Sequence, residues 1–118
     1  MKSFRLENFD TILFDCDGVL WRGKELIRGG TSVIQQLRHA GKHVIFVTNN
    51  SSSSRLQYQA KLKDKLNLDV NIDDIYCSSF AAAAYLEQRQ FRGKAYVIGH
   101  EGIGEVLLLR LPWFGYKL

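Results

Sequence analysis

Apolar positions in this chain come in short blocks, and each block stops at a polar cluster. Ile12-Leu13-Phe14 ends in Asp15, His43-Val44-Ile45-Phe46-Val47 stops at Thr48-Asn49-Asn50-Ser51, and Lys94 to Ile98 ends at Gly99. Blocks this short and continuous read as strands buried on both faces, so we expect strands over 11–15, 43–47 and 94–98. Ile75 to Cys77 reads as a shorter extended piece feeding Ser78-Ser79, a plausible N-cap pair.

Between the blocks the period lengthens to that of a helix. A helix of about ten residues is expected from Thr31 or Ser32, with Val33, Ile34, Leu37 and Ala40 on one side and Gly41 ending it. A second is expected from Ser52 or Ser53 to about Leu66, anchored by Leu56, Ala60 and Leu66. Phe80 to Gln90 and Glu101 to about Arg110 complete the set. Gly18 to Gly30 reads as a charged, glycine-rich loop. Strands alternating with helices imply parallel pairing through right-handed crossovers. The expected fold is a Rossmann-like, three-layer α/β/α parallel sheet.

Composition narrows the function classes. The 118 residues suffice for one domain with a real core. A hydrophobic content of 46% and a charged content of 24% suit a globular chain rather than a disordered one. The net charge is +4, but the lysines and arginines are dispersed, which argues against a nucleic-acid face and leaves a general attraction for phosphorylated molecules. No apolar run approaches membrane-spanning length. Cys16 and Cys77 lack metal-ligand or disulfide spacing, and residues 1–10 resemble neither a secretory signal nor a transit peptide, so a cytoplasmic location is expected.

The chemistry gathers where the first strand ends. Asp15 and Asp17 lie at i and i+2, so an extended chain turns both to one side. Two anions that close call for a cation, a shared proton or a reaction that uses them. An EF-hand loop is excluded, because Gly18 comes fourth after a strand rather than sixth among oxygen ligands. Thr48-Asn49-Asn50-Ser51 also ends a strand just before a helix, where hydroxyl, amide and backbone N–H donors make an anion site. Arg55 lies one turn further in, facing either that anion or solvent. Parallel strands bring both units to the same rim of the sheet. His39, His43 and His100 show no ligand spacing, and Trp21 either lines the site mouth or packs within its loop.

Phe14-Asp15-Cys16-Asp17-Gly18-Val19-Leu20-Trp21, the run from Gly41 to Ser51, Ser78 to Leu86, and Tyr96 to Gly99 with Glu101 to Ile103 together resemble the haloacid dehalogenase superfamily. Within it they are similar to the phosphoglycolate phosphatase and 4-nitrophenylphosphatase group. The resemblance covers roughly residues 10 to 106. It implies that Asp15 is the nucleophile, forming an aspartyl-phosphate, and that Asp17 is the general acid/base. It also implies that Mg²⁺ is held by Asp15, by the backbone carbonyl of Asp17 and by a later acid, and that Thr48 and Asn49, with Asn50, hold the phosphoryl oxygens of a small phosphorylated metabolite. The place of Arg55 in the chain makes it a further candidate for binding that phosphate.

The same resemblance makes residues 1–118 the N-terminal part of a core domain, without the cap domain, the later lysine and the later acidic motif of that group. The strand bearing Asp15 is then expected to have a neighbour on one side only. Its other side is an open edge, which the apolar stretch from Leu107 to Trp113 either covers or extends. A rival reading is a catalytically inactive chain that keeps weak anion or metal binding. A receiver-like domain also uses strand-end acids, but the Thr-Asn-Asn unit argues against it.

Overall fold

The structure is a computed structural model that describes residues 5–111 together with the backbone of 116–117. Its centre is a three-stranded parallel sheet in the order β1-β4-β5, formed by Thr11–Asp15 (β1), His43–Thr48 (β4) and Ile75–Cys77 (β5). Thr11 stands against His43 and Asp15 against Val47, while Thr48 stands against Cys77. The two polar clusters therefore open on one rim of the sheet.

Between β1 and β4 the chain forms a small antiparallel hairpin, Trp21–Arg22 (β2) with Glu25–Leu26 (β3), and then α1, Gly30–His39. The expected loop over 18–30 thus carries structure of its own. The end of α1 is fixed by a pair of backbone bonds, Gly41 N–H to the Arg38 carbonyl and Lys42 N–H to the Leu37 carbonyl. They need a left-handed residue at position 41, and Gly41 supplies it with φ +73°.

The second helix, α2, spans Arg55–Leu66 and starts later than the pattern suggested. Ser54 accepts from the Gln57 N–H, and the Gln57 side chain accepts in turn from the Ser54 N–H, a reciprocal cap that sets the first turn. Tyr58, Leu62 and Leu66 point inward, whereas Leu56 and Ala60 are exposed. In α1 the same correction applies to Val33 and Ala40, which are exposed beside buried Ile34 and Leu37.

Helices α1 and α2 pack on the Val44 and Phe46 face of β4, in one core with Cys16, Leu20, Trp21 and Ile75. The opposite face carries Leu13, Ile45, Val47 and Tyr76 in register. Leu13 is 64% exposed and Tyr76 44%. The expectation that the 11–15 run is buried on both faces fails here, because Leu13 lies on the face opposite α1 and α2; the expected open edge of β1 is present among the described residues.

A second core forms beyond β5, where α3 (Ser78–Gln88) packs against α4 (Glu101–Arg110) through Cys77, Phe80, Ala83, Val106, Leu107 and Leu111. Leu107 and Leu111 are therefore spent in this core and not on the edge of β1. Pro112 and Trp113 lie outside the described residues. Ser78 and Ser79 do not cap α3, whose N-cap position is Cys77 with no side-chain bond. The expected strand over 94–98 shrinks to Ala95–Tyr96 (β6), paired in parallel with Tyr116–Lys117 (β7) and not with the main sheet. A single two-residue partner cannot cover the run, and Ile98 is left 86% exposed.

Candidate active site

Asp15 is the last residue of β1, exposed at the rim, and its Oδ1 accepts the N–H of Cys16 at 2.9 Å. The chain then curls. The Cys16 carbonyl accepts from Leu20 N–H at 2.9 Å, and Gly18, at φ +85°, donates its N–H to the Trp21 carbonyl at 2.7 Å. Only a residue free to take positive φ makes this turn without strain. The curl brings Trp21 back beneath Asp17, where the indole N–H donates to Asp17 Oδ1 at 2.9 Å.

Thr48, the last residue of β4, meets the same carboxylate from the other side. Its hydroxyl lies 3.4 Å from Asp17 Oδ2 and 3.1 Å from the Tyr58 hydroxyl, and it accepts the Asn50 N–H at 3.2 Å. Thr48 is buried, 3% exposed. The Asn50 side-chain oxygen accepts from the backbone N–H and the hydroxyl of Ser52, which leaves its NH₂ donors uncommitted by those bonds. Asn49 is exposed, and its carbonyl accepts from Ser78 at 2.8 Å, tying this loop to the start of α3.

The structure therefore joins Asp17 to Thr48 directly and sets Asp15 and Asn50 beside them along the chain. Arg55 is not joined to this group. Its guanidinium donates to the Ile72 carbonyl at 3.2 Å, lies 3.4 Å from Asp73, and stacks on the Phe80 ring with 3.8 Å to the centroid. It braces α2 against the segment before β5. Among the histidines, His43 pairs with Asp74 at 2.6 Å on the surface, and His39 contacts the Gln35 carbonyl.

Burial raises the Cys16 thiol to about 12, with Asp17 and Asp15 adding to the effect and Lys61 opposing it. A thiol held neutral is no nucleophile, so the residue between the two acids is packing. Burial also raises the Tyr58 phenol, against the lowering effect of its bond to Thr48.

Tyr58 and Lys61 are neighbours of the site that the sequence pattern did not single out. The Lys61 ammonium sits 4.4 Å over the Trp21 ring and 5.4 Å over that of Tyr58. The signal for Tyr58 is its i, i+4, i+8 spacing with Leu62 and Leu66, which puts the three on one helix face.

For a divalent cation, the Asp15 carboxylate and the Asp17 backbone carbonyl are hard oxygen donors of the type Mg²⁺ takes, whereas the Asp17 carboxylate oxygens are engaged by Trp21 and Thr48. Among the described residues no group of three or more His, Cys, Asp or Glu side chains is placed to hold a metal.

Comparison with known proteins bears on the same rim. The chain is 50% identical over 112 residues to phosphoglycolate phosphatase 1A, chloroplastic, of Arabidopsis thaliana, covering 87% of this chain and 31% of that protein. It is 38% identical over 109 residues to the 4-nitrophenylphosphatase of Schizosaccharomyces pombe, covering 90% and 36%. The p-nitrophenyl phosphatase from Archaeoglobus fulgidus superposes with a TM-score of 0.79 at 30% identity, over 91% of this chain and 40% of that one. The chain thus spans about a third of the length of these curated relatives. Residues 12–109, from the strand that delivers Asp15 to the last turn of α4, match the haloacid dehalogenase-like hydrolases, and the chain belongs to that family.

Proposed function

We propose that this chain carries the phosphoryl-transfer residues of a Mg²⁺-dependent phosphatase for small phosphate monoesters of the 2-phosphoglycolate or 4-nitrophenyl phosphate type. In this reading residues 1–118 are the N-terminal part of its core domain. The observation that carries the reading is the 3.4 Å approach of the Thr48 hydroxyl to Asp17, which joins the acid pair to the anion-binding end of the neighbouring strand. The names of the relatives support the substrate class.

An oxygen of Asp15 attacks phosphorus, and the ester P–O bond breaks. Asp17 gives its proton to the leaving oxygen, then accepts one from the water whose oxygen attacks the phosphorus of the aspartyl-phosphate. The bond to Asp15 breaks and inorganic phosphate is released. Thr48, Asn49 and Asn50 bind the equatorial oxygens, where most of the stabilisation in phosphoryl transfer is needed. Asp15 and the backbone carbonyl of Asp17 would hold Mg²⁺, which when bound would offset the repulsion between a carboxylate and a phosphate dianion. Arg55 is left out of the phosphate site, since its guanidinium is engaged at Ile72, Asp73 and Phe80.

Neither nucleic acid nor membrane enters this reading, and among the described residues no helix is long and apolar enough to cross a membrane. Two free, buried cysteines support a reducing compartment, for which we take the cytoplasm.

A second reading is favoured by one observation: the described residues offer two acids to a metal and no third ligand of that kind beside them. On that reading the chain binds an anion or Mg²⁺ weakly and does not turn over. Hydrolysis of p-nitrophenyl phosphate with Mg²⁺, measured beside Asp15→Asn, separates the two. Turnover above that variant's background rejects the non-catalytic reading, and equal rates reject catalysis by this chain.

A further inference from the structure

With Asp17 ionised, the hydrogen bonds around Thr48 close in one way. A threonine hydroxyl has one hydrogen to give and two lone pairs to receive with. The Asn50 N–H takes one lone pair, and the Asp17 carboxylate can only accept. If Thr48 gives its hydrogen to Asp17, Tyr58 must donate to Thr48. The result is a directed chain from the Tyr58 O–H through the Thr48 O–H to Asp17 Oδ2, with the Trp21 N–H on Oδ1. Burial keeps the Tyr58 phenol protonated and so able to donate. Tyr58 and Trp21 also stack, 6.4 Å between centroids at 30°, and Lys61 lies over the indole. A cation on that face draws electron density from the ring and strengthens its N–H as a donor.

Both oxygens of Asp17 are therefore held, but by partners of different permanence. Thr48 is also a phosphoryl ligand in the function proposed above, and its single hydrogen cannot serve Asp17 and a phosphoryl oxygen together. The indole N–H has no such second duty, because Trp21 is fully buried. We propose that Trp21 is a positioning residue that keeps the Asp17 carboxyl in its working orientation when the Thr48 hydroxyl turns to the phosphoryl group, with Tyr58 setting the hydrogen direction of Thr48 in the resting site. The role matters because a general acid must lie within hydrogen-bond reach of the leaving oxygen, and small misplacements are heavily penalised. This assignment rests on the phosphatase reading for its purpose, but the clamp itself does not depend on turnover.

The test uses the whole chain carrying Trp113→Phe, which leaves Trp21 as its sole indole. The ¹H–¹⁵N resonance of that indole is expected downfield, to move part of the way upfield in Asp17→Asn, and to move furthest in Asp17→Ala. In p-nitrophenyl phosphate turnover with Mg²⁺, Trp21→Phe is expected to lower kcat by about tenfold with KM unchanged, the size of one lost hydrogen bond to a charged group. An indole resonance that stays in place in Asp17→Ala overturns the proposal, as does an unchanged kcat in Trp21→Phe. Absence of turnover in the parent chain rejects the phosphatase reading alone, and the indole shift then decides the clamp.

Discussion

β1 and β4 are neighbours in register, each an apolar run ending in a polar cluster, yet they live in different surroundings. β4 has a strand on either side and helices over its Val44 and Phe46 face, and Phe46 is fully buried. Among the described residues β1 has one neighbour, and Leu13, at its centre, is 64% exposed. Composition does not separate them. The face does: Phe46 lies under α1 and α2 and Leu13 on the opposite face, and that decides how much free energy each side chain contributes.

The sharpest break in that comparison is a pair of truncations. Phe46→Ala is expected to destabilise the chain by about 3–5 kcal/mol, the range for emptying an aromatic site in a packed core. Leu13→Ala is expected to change stability by less than about 1 kcal/mol, since most of its surface is already in water. Urea melts of both variants measure the difference. Near-equal losses would show that β1 is covered in solution.

The exposure of β1 ends abruptly at Cys16, which is fully buried one residue later. Its thiol stands at about 12 against an ordinary 9.0. As pH rises past 9 the unfolded chain loses this proton first, so folded stability falls until the native thiol also ionises near 12. The loss approaches about 4 kcal/mol for a shift of that size. Tyr58 is raised too and acts in the same direction, so Cys16→Ala is expected to flatten the alkaline decline without abolishing it. Chemical melts between about pH 8 and pH 11 track the slope, and an unchanged slope would refute the burial of the thiol.

The two strands also differ in the segments they lead into, a reciprocally capped helix after β4 and a tight turn after β1. Ser54→Ala is expected to remove about 1 kcal/mol, and Ser54→Asp to restore most of it. Smallest of all, Leu13→Lys is expected to shift stability by no more than about 0.5 kcal/mol while reducing any association through the open edge, read by light scattering against concentration.

The strands near 11–15, 43–47 and 75–77, all four helices and the shared rim were legible in the sequence because apolar period and chain order encode them. The open edge of β1 followed from the family resemblance, whereas the run Ile12-Leu13-Phe14 by itself does not say which of its faces is covered. Lys94 to Ile98 misled because an apolar run does not name its partner: among the described residues Ala95–Tyr96 pairs with Tyr116–Lys117 and not with the main sheet. Around the site, Asp15, Asp17 and Thr48 stood out through their places at strand ends. Tyr58 did not, because Leu56 and Ala60 offer a competing i, i+4 apolar line on another side of the helix. The engagement of Arg55 with Ile72, Asp73 and Phe80 depends on contacts 17 or more residues away, which local pattern does not carry.

In the proposed chemistry everything turns on Asp15 taking the phosphoryl group. Acid-quenching the chain during p-nitrophenyl phosphate turnover with Mg²⁺, with peptide mass spectrometry of the product, tests this. A hydroxylamine-labile phosphoryl group is expected on the peptide containing Asp15 and is expected to be absent from Asp15→Asn. Turnover that persists in Asp15→Asn, or a phosphoryl group on a different residue, would contradict it.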